Sequence, residues 1–185
     1  MEQNPRVDRH SFFFGFFQSV YVDSVVMAIR RQVKVQKDSV SLAGLLTELA
    51  ANPELVTRSE FVALYGSTGI FNMGESDFSK FASAGAAHID PSLVLSDLAS
   101  LRTLAASSEE YADRRIAHWD KREPTSALTA EAIFEALDEL GRLVRKYYLL
   151  FFATSLEISP IPQGPVFHVF AEPWLPRPIS GAGSA

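Results

Sequence analysis

The 185-residue chain contains no cysteine, which excludes disulfide bonds, thiolate metal sites and cysteine nucleophiles together. Histidine is scarce, with four residues in the chain, and this leaves few side chains for metal binding or for proton transfer near neutral pH. Basic charge is in the minority, and the net charge is −5 at pH 7. Because a domain that binds nucleic acid over a broad surface is usually basic, any such role here requires a local basic patch.

An uninterrupted apolar run of membrane length is also missing, although the N-terminal segment approaches one. Between Ser11 and Ile29 the only charged residue is Asp23, and a membrane-spanning helix needs about 20 mostly apolar residues. Polar side chains interrupt the segment at Gln18 and Ser19, and no small-residue cleavage motif ends it. We therefore predict that this segment is the buried central helix of a cytoplasmic protein without a membrane span.

The hydrophobic periodicity predicts an all-α fold class. Apolar residues make up 47% of the chain and charged residues 21%, which suits one globular domain with a substantial core. Helical spacing of apolar residues predicts two or three long helices, at about 8–35, 90–119 and 129–154, and short connecting helices at about 41–51, 57–65 and 76–84. The segment 66–76 reads as a loop by its composition.

Side chains that favour helix N-caps stand at the start of five of these segments, at Ser41, Thr57, Ser76 or Asp77, Asp90 and Thr129. After Ser155 the pattern changes, with six prolines between Pro160 and Pro178, and a proline-rich segment of this kind is extended. We therefore predict a helical bundle over residues 1–155 and an extended Pro-rich C-terminal arm over residues 156–185.

The stretch YADRRIAHWDK, residues 111–121, contains the candidate functional site. At about 100° per residue, Tyr111, Arg114 and His118 share a helix face opposite the apolar stripe, and Arg115 lies beside them. A histidine can move protons and a guanidinium can hold a phosphate, so His118 and Arg114 resemble the parts of a metal-independent ribonuclease. The alternative is a structural helix end, because Arg114 and Arg115 also suit a helix C-terminus.

Two pieces of the sequence carry a family resemblance: FFQSVYVDSVVMAIRRQVKVQKDSVSLAGLL at 16–46 and YADRRIAHWD at 111–120. They resemble the HEPN superfamily of helical domains, named for higher eukaryotes and prokaryotes nucleotide-binding, and in particular its abortive-infection (Abi) branch of bacterial phage defence. The resemblance covers roughly residues 8 to 152. It implies a helical bundle that usually forms a homodimer and works without a metal or other cofactor.

The resemblance also implies a role for this stretch, since active members cut RNA with an arginine and a histidine at a cleft between subunits. His118 matches that histidine. The family arginine stands with four to six residues between it and the histidine, and here those positions are Tyr111, Ala112 and Asp113. None is arginine, and Arg114 leaves only three residues between. This departure counts against ribonuclease activity, because a displacement of about 1 Å can cost much of a catalytic rate.

We therefore expect a non-catalytic or weakly catalytic RNA- or nucleotide-associated protein of bacterial defence, with an antitoxin or nucleotidyltransferase as a possible partner. The catalytic candidates are His118 and Arg114, and the candidates for phosphate binding are Arg114, Arg115 and Tyr111. Two alternatives stay open: an active metal-independent endoribonuclease toxin, and a structural assembly protein whose apolar first helix and tail bury against a partner.

Other polar clusters indicate no further site. The two His-x-Asp pairs, at 88–90 and 118–120, would lie about 40 Å apart at the ends of one long helix, so we expect no metal site. The charged residues of the last helix suggest a solvated face with helix pairs; they are Glu131, Glu135, Asp138, Glu139, Arg142, Arg145 and Lys146. The basic run from Arg30 to Lys37 suits a helix C-terminus, although it could also meet phosphate.

Overall fold

The structure, a computed structural model, describes residues 12–66, 71–117, 121, 124–125 and 127–158. These residues form helices and no β-strand, so the predicted all-α class is confirmed. The α-helices are α1 (Phe12–Val33), α2 (Leu42–Ala51), α3 (Arg58–Ala63), α4 (Phe71–Phe78), α5 (Pro91–Tyr111) and α6 (Ala130–Phe152). A short 3₁₀ helix at Pro53–Leu55 follows α2, and a π-helix at Ala112–Ala117 continues α5.

Helix α5 is the centre of the fold, because α1, α2 and α6 all pack against it. The prediction that the first helix is the buried centre is wrong. The fully buried side chains of α1 lie in its second half, at Val26, Ile29 and Val33. Apolar character shows that a segment is better removed from water, but it does not show which surface covers it.

Four predicted N-caps are confirmed, and the cap predicted at Ser76 or Asp77 is wrong, because both residues lie within α4. The hydroxyl oxygens of Ser41, Thr57 and Thr129 each accept a hydrogen bond from the backbone N–H three residues further on. The carboxylate of Asp90 accepts one from the N–H of Ser92 at 2.8 Å. These bonds satisfy donors that a helix leaves open in its first turn, and they fix where α2, α3, α5 and α6 begin.

The loop predicted at 66–76 is wrong over residues 71–76, because α4 begins at Phe71 and ends at Phe78, and residues 67–70 lie outside the described part of the chain. The helix predicted over 76–84 is wrong for the same reason. Gly74 accounts for the error: a Cβ atom at this position would lie 3.0 Å from the ring of Tyr65 and 3.3 Å from the backbone of Val62. The lack of a side chain at Gly74 therefore allows α4 to approach the end of α3 closely, and the glycine does not form a turn. Phe78, at the end of α4, is fully buried.

Arg58, the first residue of α3, fixes the connection between α4 and α5. Its Nε donates to the carbonyl oxygen of Ala86 at 2.7 Å, and its Nη2 to that of Ser83 at 2.9 Å. Its Nη1 binds Glu75 at 2.7 Å. The guanidinium also lies 4.7 Å from the centre of the Phe78 ring, a cation–π contact. One side chain thus holds a segment that has no regular secondary structure.

Among the described residues, no helix is long and apolar enough to cross a membrane. The proline-rich arm lies outside the described residues from position 159 onward. The division of the chain at 155/156 therefore stays a prediction.

Candidate functional site

The predicted site lies where α5 changes its geometry. The long helix expected to run to Trp119 is α-helical only to Tyr111, and Ala112–Ala117 form a π-helix. Because a π-helix bonds residue i to i+5, each residue turns through a smaller angle than in an α-helix. The face assignment at about 100° per residue therefore fails beyond Tyr111. His118 lies outside the described residues, so its position beside Arg114 stays a prediction.

Tyr111 faces the first half of α1. It lines a cavity of about 290 Å³ together with residues of α1, which are Gly15, Gln18, Ser19, Val22 and Asp23. The cavity is small and mostly polar.

Arg114 is engaged in an ion pair with the acid one turn before it. Its Nη2 lies 2.9 Å from Oε1 of Glu110. Glu110 also accepts hydrogen bonds from the backbone N–H and the hydroxyl of Thr125, at 3.0 and 2.9 Å. A phosphate that binds Arg114 would have to compete with this carboxylate. Arg115, next along the π-helix, is partly buried.

Asp113 joins the π-helix to the C-terminal half of α1. Its carboxylate lies 2.5 Å from Nε of Arg30 and 3.1 Å from Nζ of Lys34. Lys34 also binds Glu109 at 2.6 Å. Burial alone would raise the pKa of Asp113, but the hydrogen bonds from Arg30 and Lys34 outweigh it and lower the pKa. The contact with Glu109, opposed by burial and supported by Asp113, raises the pKa of Lys34.

These contacts describe the three positions, Tyr111, Ala112 and Asp113, at which the predicted family resemblance would require an arginine. Ala112 is fully buried, so a guanidinium at that position would be taken out of water at high cost. Asp113 carries the opposite charge and binds two cations of α1. Tyr111 lines the small cavity beside α1. At two of the three positions, burial or charge thus works against an arginine.

The basic run of α1 lies beside the same π-helix. Arg30, Arg31 and Lys34 line a cavity of about 420 Å³ at the C-terminal end of α1, and no acidic residue is among the described residues that line it. Within the described part of the chain, Arg31 makes no ion pair. Cationic groups around a concave surface can bind phosphate, so this end of α1 is a second candidate for phosphate binding, although Arg30 and Lys34 also bind Asp113.

The interpretation of the charged residues of α6 as a solvated face is wrong in part. Glu139 is buried and binds Arg142 through Nε at 2.7 Å. Asp97 of α5, also buried, accepts bonds from Arg142 Nη2 at 2.9 Å, Lys146 Nζ at 2.6 Å and the Tyr147 hydroxyl at 2.9 Å. Sequence reasoning did not identify Asp97. The sequence does contain a signal for Asp97, because this charged residue stands three positions after Val94, on the apolar stripe of the helix.

The apolar first half of α1 is exposed rather than buried. We name five side chains the apolar end of α1: Phe12, Phe16, Phe17, Val20 and Tyr21. Phe12 is 90% exposed and Phe16 59% exposed. Monomeric proteins rarely leave contiguous apolar patches larger than a few hundred Å² in water. The polar cavity at Tyr111 borders this surface, so an apolar patch with a polar edge lies beside the predicted site.

Among the described residues, no group of three histidine, aspartate or glutamate side chains is arranged to hold a metal ion. Asp90, one half of the first His-x-Asp pair, is the N-cap of α5.

Comparison of the chain with protein-family models, with curated proteins and with solved structures finds no match. The resemblance to the HEPN superfamily therefore stays a prediction.

Proposed function

We propose that the protein is a non-catalytic helical domain that self-associates through the apolar end of α1. The observation that carries the proposal is the exposure of five large apolar side chains on one half-helix, led by Phe12 at 90%. The rest of α1 packs normally on α5. The exposed side chains thus lie on a folded helix and are accessible to another protein surface.

The exposed area is large enough for a stable interface. At roughly 200 Å² for an aromatic side chain, the apolar end of α1 exposes on the order of 600 Å². Two copies that cover each other would bury about 1,200 Å² from these side chains, which exceeds the roughly 1,000 Å² of a specific interface. Bordering residues would add further area.

A second copy suits this surface better than a charged partner. The apolar end of α1 carries no charged side chain, so it offers nothing to complement the charge of an acidic or basic partner. A two-fold axis would pair the patch with itself, as in most homodimers. The polar residues that line the cavity at Tyr111 would then lie at the rim, where interfaces are usually polar.

Two matched substitutions test the proposal. Phe16→Asp places a charge in the patch, and Phe134→Asp places one at an equally exposed phenylalanine of α6 (61% exposed). We expect wild type and Phe134→Asp to be dimers by light scattering at about 10–100 μM, and Phe16→Asp to be a monomer with unchanged circular dichroism. A monomeric wild type, or equal masses for both variants, would show that the apolar end of α1 is not a self-association surface.

The second candidate function is RNA or nucleotide binding at the basic cavity of α1. The observation that favours it is that Arg30, Arg31 and Lys34 line one cavity with no acid among its described lining residues, and that Arg31 adds a cation to Arg30 and Lys34, which bind Asp113 and Glu109. Phosphate-directed binding falls steeply with salt. In fluorescence anisotropy with a short single-stranded RNA, Arg31→Gln should weaken binding and reduce the salt slope by about 1. Arg102→Gln, an exposed cation of α5, is the control. Equal binding by both variants would exclude this cavity.

Two features favour a non-catalytic domain over a ribonuclease toxin. The Arg114 guanidinium is paired with Glu110, and the π-helix alters the spacing that the family arginine requires. We expect purified protein to leave RNA intact. Cleavage that is lost in His118→Ala would support the toxin alternative instead. A role in bacterial defence, with an antitoxin or nucleotidyltransferase partner, is implied by the HEPN resemblance alone.

A further inference from the structure

A cleft between α4 and the C-terminal half of α6 lies apart from the predicted site. Its volume is about 650 Å³, within the range of roughly 300–1,000 Å³ typical of small-molecule sites. Four cations line it: Lys80, Arg142, Arg145 and Lys146. Asp77 is the only acidic residue among the described residues of the lining.

The remaining lining residues are mostly apolar. Met73 on α4, Leu149 on α6 and Leu156 after α6 face the cleft. Met73 is largely exposed, and Leu156 is partly buried. An apolar surface beside several cations suits a ligand that has an apolar part and an anionic group. Burial of the apolar part is favourable, and the anionic group can form charge-assisted hydrogen bonds with the cations.

The charges of the cleft are matched except at one position. Lys80 binds Asp77 at 2.6 Å. Lys146 binds Asp97 at 2.6 Å, and Arg142 binds both Asp97 and Glu139.

Arg145 completes the set of cations. Within the described residues it has no acidic partner, and its side chain is exposed. The cleft therefore has one cation whose charge is not compensated by a neighbour.

We infer that this cleft binds a small organic carboxylate with an apolar body, held by Arg145 and seated on Met73, Leu149 and Leu156. A single negative charge matches the one uncompensated cation. A doubly charged phosphate would bring a second charge without its own partner, which is costly in a partly desolvated site. Arg142, whose side chain is 48% exposed, lies on the same helix face one turn earlier and can donate to the same carboxylate.

Calorimetry with decanoate tests the inference. We expect saturable binding to the full chain below about 1 mM. Arg145→Gln should weaken it about tenfold through loss of a charge-assisted hydrogen bond, and Met73→Asp should weaken it by placing an acid on the apolar side. Both side chains are exposed, so circular dichroism should show that these variants fold. Equal decanoate affinity in wild type and Arg145→Gln, or no binding, would overturn the inference.

Two ligands and two variants separate this site from general adsorption. Decyltrimethylammonium has the same apolar body with the opposite charge and should bind more weakly than decanoate. Decyl phosphate should also bind more weakly at pH 8, and tighter binding would overturn the assignment to a single negative charge. Arg102→Gln should keep the wild-type affinity. Phe16→Asp should keep it too, since a loss there would place the decanoate on the apolar end of α1.

Discussion

The charge network between α5 and α6 makes a strong prediction for Asp97→Asn, which removes the charge at nearly constant size. The carboxylate accepts bonds from Arg142, Lys146 and Tyr147 at 2.6–2.9 Å, and its side chain is only 9% exposed. Breaking a buried ion pair costs about 3–5 kcal/mol. Arg142 is half exposed and keeps Glu139, so the lower end applies. We expect a loss of about 3 kcal/mol in the free energy of unfolding.

Urea unfolding measures this loss. With a slope of about 2 kcal/mol per M, the midpoint should fall by roughly 1.5 M. Asp138→Asn, at an exposed carboxylate of the same helix pair, is the control and should shift the midpoint by less than about 0.3 M, since exposed substitutions usually change stability by under 0.5 kcal/mol. A loss for Asp97→Asn no larger than that of the control would refute the argument that the buried network stabilises the contact between α5 and α6.

The same variant has a defined pH dependence. Burial alone would raise the pKa of Asp97, but the hydrogen bonds from Lys146, Arg142 and Tyr147 outweigh it, so the folded-state pKa lies below its ordinary value. The stabilisation is therefore complete above about pH 4, near the unfolded pKa, and is lost as the pH falls through the folded pKa. The difference between wild type and Asp97→Asn should shrink from pH 6 to pH 3. An unchanged difference would contradict the assignment.

Three further substitutions, with Gly15→Ala as a control for one of them, test the packing by urea unfolding. Ser108→Ala should raise the free energy of unfolding by about 1 kcal/mol, because the buried hydroxyl has no hydrogen-bond partner among the described residues; a loss would contradict this. Arg58→Lys should cost about 2–3 kcal/mol, since lysine cannot replace three directed bonds and the contact with Phe78; a change under 0.5 kcal/mol would contradict it. Gly74→Ala should cost about 1–3 kcal/mol through overpacking, whereas Gly15→Ala, with nothing within 4 Å, should stabilise slightly. Equal effects of Gly74→Ala and Gly15→Ala would refute the argument that Gly74 allows α4 to approach α3 closely.

The features that could be predicted from the sequence are the local ones. An N-cap such as Thr129 is defined by a few neighbouring residues, and the structure confirms it. The loop predicted at 66–76 failed because composition cannot distinguish a glycine that serves a turn from one that serves a close contact, as Gly74 does.

The candidate site could be predicted less completely, because its contacts join distant parts of the chain. Arg30 reaches Asp113 across 83 residues, and Arg142 reaches Asp97 across 45. Helical periodicity gives the face on which a residue lies but not the partner across the contact. The change from α- to π-geometry after Tyr111 left no signal in the apolar spacing, and so the helix face assigned to Arg114 had to be revised.

The most direct test of self-association is amide hydrogen exchange at two protein concentrations, for instance about 1 and 100 μM. If the apolar end of α1 is the interface, peptides covering residues 12–21 should gain protection at the higher concentration, because association stabilises the helix against opening. Peptides covering α2, which lies away from the proposed interface, should exchange alike at both. Equal protection of residues 12–21 at both concentrations, with a mass that stays monomeric, would contradict the account.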